Sequence, residues 1–224
     1  MEINKVYNKD YLEFMKEIPN RFVDALITDS PYCSSGFLGS QGISKKVVRR
    51  DDFQWFAGDN LSTSGWMWMI RSFMLETNRV LKPNSPAVLF TDWRMFPIIV
   101  PVVESCGFRY KNLIIWDKGR PGLGSGFRPC YEIAVEFANG KTKYYSKSIG
   151  NVIRVSRVSK KIHEAQKPVE LLEKIIENVV CPNGIVLDPF VGSGTTAIAA
   201  KHLNRNFIAN DINPRYVEMS NARL

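Results

Sequence analysis

The stretch IVLDPFVGSGTTAIAA (185–200) limits what this chain can fold into more than any other. An apolar, β-branched run ends at Asp188, a Gly-Ser-Gly turn follows, and an alanine-rich helix opens at Thr195-Thr196. Glycines at 192 and 194 let the backbone approach a ligand closely, and the first helical turn leaves N–H groups without intrahelical partners. Nineteen positions after Gly192, Asp211 closes the next apolar run, where a carboxylate can take two ribose hydroxyls. The pattern lacks the third glycine of a dinucleotide fingerprint and the lysine of a phosphate loop. A strand–turn–helix with no ligand is the plainer alternative for so short a motif.

The rest of the chain repeats the alternation. Strands are expected at 3–8, 22–28, 87–91, 112–116, 132–137, 184–188 and 206–211, mostly short apolar runs suited to burial on both faces of a parallel sheet. Helical patterns lie between them in DYLEFMKEI, WMWMIRSFMLETNRVL, PVELLEKIIENVV, TTAIAAKHL and PRYVEMSNARL. MFPIIVPVVES is ambiguous, because Pro101 would interrupt a helix begun earlier. The expected fold class is α/β: a doubly wound, mostly parallel seven-stranded sheet of the Rossmann-like type, with loop insertions and no separate large second domain. One domain spans 1–224. Long loops are expected at 33–65 and 117–130, and a loop or small irregular insertion at 139–162.

At 224 residues with 45% hydrophobic content the chain can bury a full core without staples. Cys33, Cys106, Cys130 and Cys181 are widely spaced and only two histidines are present, which argues against a disulfide framework and a structural metal site. Neither a membrane-length apolar run nor a cleavable signal pattern appears, so the expected location is cytoplasmic. The net charge of +8 favours a polyanionic partner. Residues 141–167 hold eight basic side chains against one acidic, and Lys45, Lys46, Arg49 and Arg50 form a second cluster. Solvated loops would explain either cluster alone.

A second constellation stands at LITDSPYCSSG (26–36). Asp29-Ser30-Pro31-Tyr32 delivers a carboxylate, a carbonyl locked ahead of a proline and an aromatic ring to one strand end. A turn with an Asx cap and a packed tyrosine would use the same residues. Gripping a flat molecule through its amino group would use all of them at once.

DPFVGSGTT together with TDSPY resembles the amino-group DNA methyltransferases in the permuted arrangement, where the catalytic motif precedes the cofactor motif. The resemblance runs along almost the whole chain: NKDYLEFMKEIPNRFVDALITDSPY, RVLKPNSPAVLFTD, IIWDKG…FRPCYEIAVEFANG, HEAQKPVELLEKII and FIANDINPRYVEMSNARL match successive family blocks. It implies S-adenosylmethionine as cofactor, held by Asp10, His163, Gln166, Lys167, Pro168, Asp188, Pro189, Phe190, Gly192, Ser193, Gly194, Thr195, Asp211 and Ile212. Asp10 would contact the adenine ring. Asp29, Ser30, Pro31 and Tyr32 would be catalytic, with the target nucleotide flipped from the duplex because its amine is otherwise out of reach. The permutation also implies that residues 1–8 pair beside 206–211. Departures are Ser30 and Glu164 where the family has prolines, and Ala209 where it has glycine. Serine still supplies the needed carbonyl.

Double-stranded DNA is the expected substrate, with Lys45, Lys46, Arg49, Arg50, Arg154, Arg157, Lys160 and Lys161 on its phosphates, and a homodimer is possible. The segments 33–65 and 140–162 are the candidates for target recognition, and so small an allotment implies a short or relaxed site. The leading aspartate leans to adenine N6 by family habit, with cytosine N4 as the alternative. A nicotinamide oxidoreductase would leave Asp29–Tyr32 and the basic loops unexplained, and a silent nucleic-acid binder would transfer no methyl group. Pro129-Cys130 imitates the nucleophile of carbon-5 methylation but lies far from the cofactor-side strand end in sequence and is read as an idle thiol. Trp55, Trp66 and Trp68 are assigned no site.

Overall fold

The computed structural model describes residues 1–32, 62–122, 125–159 and 166–224. Its strands are β1 (Lys5–Tyr7), β2 (Ala25–Thr28), β3 (Pro86–Thr91), β4 (Arg109–Asp117), β5 (Tyr131–Ala138), β6 (Val152–Arg154), β7 (Ile185–Asp188) and β8 (Asn206–Asn210). The helices are α1 (Tyr11–Glu17), α2 (Thr63–Val80), α3 (Phe96–Glu104), α4 (Val169–Val179), α5 (Thr195–His202) and α6 (Pro214–Asn221).

All the strands join one sheet in the order β1-β8-β7-β2-β3-β5-β4-β6. Every neighbouring pair is parallel except β3–β5 and β5–β4. The seven expected strands are present, and β6 makes an eighth. Its three residues fall within the stretch read as loop or irregular insertion, and as an edge strand with two exposed side chains it carries no apolar run to betray it. The two chain ends meet as the permutation implies: Lys5, Val6 and Tyr7 pair with Ile208, Ala209 and Asn210.

Successive strand residues serve opposite faces. Leu26, Ala87, Leu89, Leu187 and Ile208 pack on one side with α1, α2 and α3, while Ala25, Ile27, Val88, Val186 and Phe207 pack on the other with α4 and α5. Helix α2 commits Trp66, Ile70, Phe73, Met74 and Thr77, fully buried, to the first core. That is the i, i+4, i+7 stripe of an amphipathic helix, and each large apolar side chain so buried contributes roughly 1.5–3 kcal/mol. The helix begins at Thr63, three residues before the apolar pattern, because the Ser62 hydroxyl accepts from Gly65 N–H and starts it.

The ambiguous segment at 96–104 is helical despite Pro101. Asp92 supports its start: its side chain accepts from Met95 N–H (2.9 Å) and its carbonyl from Phe96 N–H (3.0 Å). With Pro97 already in the first turn, Pro101 removes one internal bond from a short helix whose Ile99, Val102 and Val103 are buried.

Candidate active site

Parallel strands put their carboxyl ends on one edge of the sheet, and the crevice outside that edge is where α/β folds bind ligands. Strands β2 and β7 are neighbours in register, with Ala25 opposite Val186 and Leu26 opposite Leu187. Thr28, the last residue of β2, donates its hydroxyl to Asp188 Oδ1 at 2.6 Å, at the end of β7. One hydrogen bond thus ties the residue before Asp29 to the residue that opens the glycine turn.

The turn is fixed mainly by backbone groups. Asp188 Oδ1 also accepts from Phe190 N–H (3.2 Å), and burial pushes the Asp188 carboxyl up to about 6 against the bonds from Thr28, Thr196 and Phe190. Val191 N–H donates to Asn210 O and Gly194 N–H to Val191 O. Gly194 is left-handed (φ +84°), and a Cβ there would stand 3.1 Å from the Cα of Ser220 on α6. Gly192 is also left-handed (φ +51°), but a Cβ there would meet nothing within 4 Å. The first glycine faces open space and the second allows close helix packing.

Asp211 stands at the rim. Its Oδ2 accepts Gly192 N–H (3.0 Å) and its Oδ1 accepts Asn213 N–H (2.8 Å), while burial raises its pKa. Each oxygen keeps a second lone pair for a hydroxyl. Ile212 beside it is 55% exposed, an apolar surface with no core to join. Buried Asn210 bolts the region together: its amide donates to Lys9 O (3.0 Å) and Pro189 O (3.3 Å) and its oxygen accepts Lys9 N–H. That draws Asp10 beside the turn, where its carboxylate caps α1 through Leu12 and Glu13 N–H. Phe190 turns inward onto Tyr11 and Phe73, both partners at or within 5.4 Å between ring centroids. Ser193 and Thr195 are buried with their hydroxyls 3.4 Å apart.

The residues 29–32 sit on the same edge. Tyr32 donates its hydroxyl to Asp29 Oδ1, and Lys167 pairs with Asp29 Oδ2. Lys167 is buried, pairs with Glu132 Oε2 at 3.3 Å, and places its ammonium over the rings of Phe90 (5.2 Å) and Tyr32 (5.8 Å). Lys118 pairs with the other oxygen of Glu132. Two carboxylates and two ammonium groups therefore close a network behind Tyr32. Burial alone would lift Glu132, yet Lys167 and Lys118 hold it below the ordinary carboxylate range. Burial and Asp29 push the Tyr32 hydroxyl well above its ordinary value, which keeps it a donor. Trp66 is fully buried, and its indole N–H donates to Pro31 O at 2.8 Å.

Several of these residues were not legible as functional. Trp66 looks like core packing at the head of a helix, and it is; its N–H is what reaches the tetrad. Lys118 and Glu132 flank the hairpin between β4 and β5, where a charged residue on each side of apolar strands was the available signal. Lys167, assigned by resemblance to the cofactor, touches Asp29. Gln166 is buried next to it and Pro168 caps α4. Of the expected phosphate contacts, Arg154 pairs with Asp117 (2.7 Å) and remains 80% exposed, and Arg157 donates to Arg120 O (3.2 Å). Both lie at the site's edge of the sheet, since Arg154 and Asp117 pair in register opposite Tyr131. Lys45, Lys46, Arg49, Arg50, Lys160, Lys161 and His163 lie outside the described residues.

The cradle fits S-adenosylmethionine. Asp211 suits a ribose, the open side of Gly192 admits a ligand against backbone, and the Ser30 hydroxyl is buried with no protein partner among the described residues. Comparison with known proteins agrees. A family model described as DNA methylase matches residues 23–222. The chain is 29% identical to the putative methylase YubD of Escherichia coli, covering 96% of this chain and 87% of that one. It is 27% identical to the type II methyltransferase M.HpaI of Haemophilus parainfluenzae, over 95% of this chain and 71% of the relative. The crystal structure of the M1.HpyAVI–SAM complex superposes with a TM-score of 0.73 at 27% identity, covering 98% and 99% of the two chains. The fold is shared with the cytosine-N4-specific PvuII DNA methyltransferase (TM-score 0.77, 19% identity, 98% of this chain and 85% of that one). With both halves of the crevice and the family pattern in agreement, the chain belongs to the amino-group DNA methylases, S-adenosylmethionine-dependent enzymes that methylate adenine N6 or cytosine N4 in DNA.

Proposed function

We propose that this protein methylates the N6 amino group of adenine in double-stranded DNA, with Asp29–Tyr32 receiving the flipped base and the 188–194 turn and Asp211 holding the cofactor. The observation that carries the reading is the Thr28–Asp188 hydrogen bond, which sets the two motifs side by side. When bound, S-adenosylmethionine supplies an electrophilic methyl group.

An exocyclic amine is a poor nucleophile because its lone pair is shared with the ring. Asp29 accepts one N–H and the Ser30 carbonyl the other. Both bonds strengthen as the nitrogen gains positive charge, so the site favours the transition state over the bound ground state. The Trp66 N–H donates to the Pro31 carbonyl, which anchors the peptide that follows Ser30 and leads into Tyr32. The Tyr32 ring stacks on the base, and Asp211 and Ile212 fix the far end of the cofactor. Arg154 and Arg157, at the rim, take phosphates on either side of the flipped nucleotide.

Mass spectrometry of nucleosides tests this after duplex DNA, single-stranded DNA and RNA are each incubated with enzyme and cofactor. N6-methyladenine, highest from duplex DNA, is the expected product. N4-methylcytosine as the sole product would overturn the choice of base, and RNA as the preferred substrate would overturn the choice of partner.

A further inference from the structure

We propose that Lys167 is a shared counter-ion that passes from Asp29 to Glu132 when the target amine docks, so that Asp29 meets the reacting nitrogen with its charge unshared. The inference rests on the amine-methylation reading and concerns a positioning residue of that same site. With no base bound, each oxygen of Asp29 already accepts one bond, one from the Tyr32 hydroxyl and one from the Lys167 ammonium. Each keeps a second lone pair, but an incoming N–H would share its carboxylate with the charge of the lysine. Glu132 Oε2 is the place prepared for it. It is buried, lies 3.3 Å from Lys167, and accepts no hydrogen bond of proper geometry among the described residues.

The geometry also assigns which group moves. Lys118 holds the other oxygen of Glu132, so that carboxylate is anchored from outside. Lysine is a point charge on a flexible stem, and the faces of Phe90 and Tyr32 line its path with cation-friendly surface. Its side chain is 9% exposed, so water cannot replace a lost carboxylate. Burial would pull the ammonium down, but Asp29 and Glu132 together hold it above its ordinary value. The gain is electrostatic. An ammonium on Asp29 opposes the positive charge that grows on the amine, and moving it away weakens that opposition.

Glu132→Gln tests this, because it keeps shape while removing the charge that receives Lys167. The expected result is a kcat lowered about 100-fold, with KM for DNA and calorimetric affinity for S-adenosylmethionine nearly unchanged. In a Lys167→Met background the same change should cost little further, since the effect travels through the lysine. Additive losses, a wild-type kcat in Glu132→Gln, or a collapse of cofactor affinity would each overturn the handover. Melting curves accompany every variant. If Lys167→Met does not fold, Lys167→Arg replaces it: a guanidinium wide enough to engage both carboxylates should lower kcat as Glu132→Gln does, and normal turnover there would overturn the proposal. Wild-type enzyme is assayed alongside by nucleoside mass spectrometry. No methylated base from wild type refutes the function itself, whereas active wild type with an additive cycle refutes only the handover.

Discussion

The two halves of the crevice are built by different means. On the cofactor side, Asp211 is held by the backbone N–H groups of Gly192 and Asn213, and Asp188 by the hydroxyls of Thr28 and Thr196 with the Phe190 N–H, all of them neutral donors. On the base side, Asp29 is held by side chains from positions 32 and 167, with Glu132 and Lys118 behind them, and the neighbours are charged. A cradle of neutral, fixed donors suits a cofactor that returns every turnover in one pose. A network of side-chain charges can rearrange, which suits a base that must arrive, react and leave.

The sharpest way to break this comparison is Asp29→Ala. Turnover should fall about 1000-fold or more while S-adenosylmethionine binds with near-normal affinity. Loss of cofactor binding would mean that the halves are one unit. Asp188→Asn probes the other side. Its folded carboxyl titrates near 6 against an ordinary 3.8, so this group's contribution to stability is complete below the lower value and lost as pH rises through the higher. The amide should therefore gain about 2–3 kcal/mol over wild type at pH 8, an advantage that fades toward pH 4. Urea unfolding at both pH values reads it, and an equal difference at both would contradict the burial account.

Within the turn, Gly194→Ala and Gly192→Ala should separate packing from ligand access. The first meets Ser220 in a left-handed conformation and should cost about 2 kcal/mol of stability. The second faces open space and should cost about 1 kcal/mol or less, but weaken cofactor binding. Equal stability losses with unchanged affinity would remove the distinction.

Legibility follows the same division. The glycine turn and Asp211 are local patterns, because the chain that forms them is nearly continuous at 185–212. The network around Asp29 joins residues 29, 118, 132 and 167, and no spacing announces which lysine meets which carboxylate. Lys167 illustrates this: its contact with Asp29 joins positions 138 residues apart, and only the fold brings it to the tetrad. Strand β6 was missed because two of its three side chains face solvent. The basic segment after β5 divides for a similar reason. Lys141 donates its N–H to Asn84 beside the start of β3, at the edge opposite the site, whereas Arg154 and Arg157 stand at the site's edge. The smallest expected effect follows. Neutralising Arg154 and Arg157 should flatten the salt dependence of DNA binding by about one to two counterions, and neutralising Lys141 and Lys143 should leave it nearly unchanged. The reverse ranking would place the DNA on the other edge.

Cofactor and target amine should meet between the ends of β2 and β7. A crystal structure of the enzyme with S-adenosylmethionine checks this. Ribose hydroxyls on Asp211 and the methyl group directed at Asp29 are the expected result. A cofactor seated away from the 188–194 turn, or with its methyl turned from Asp29, would contradict it.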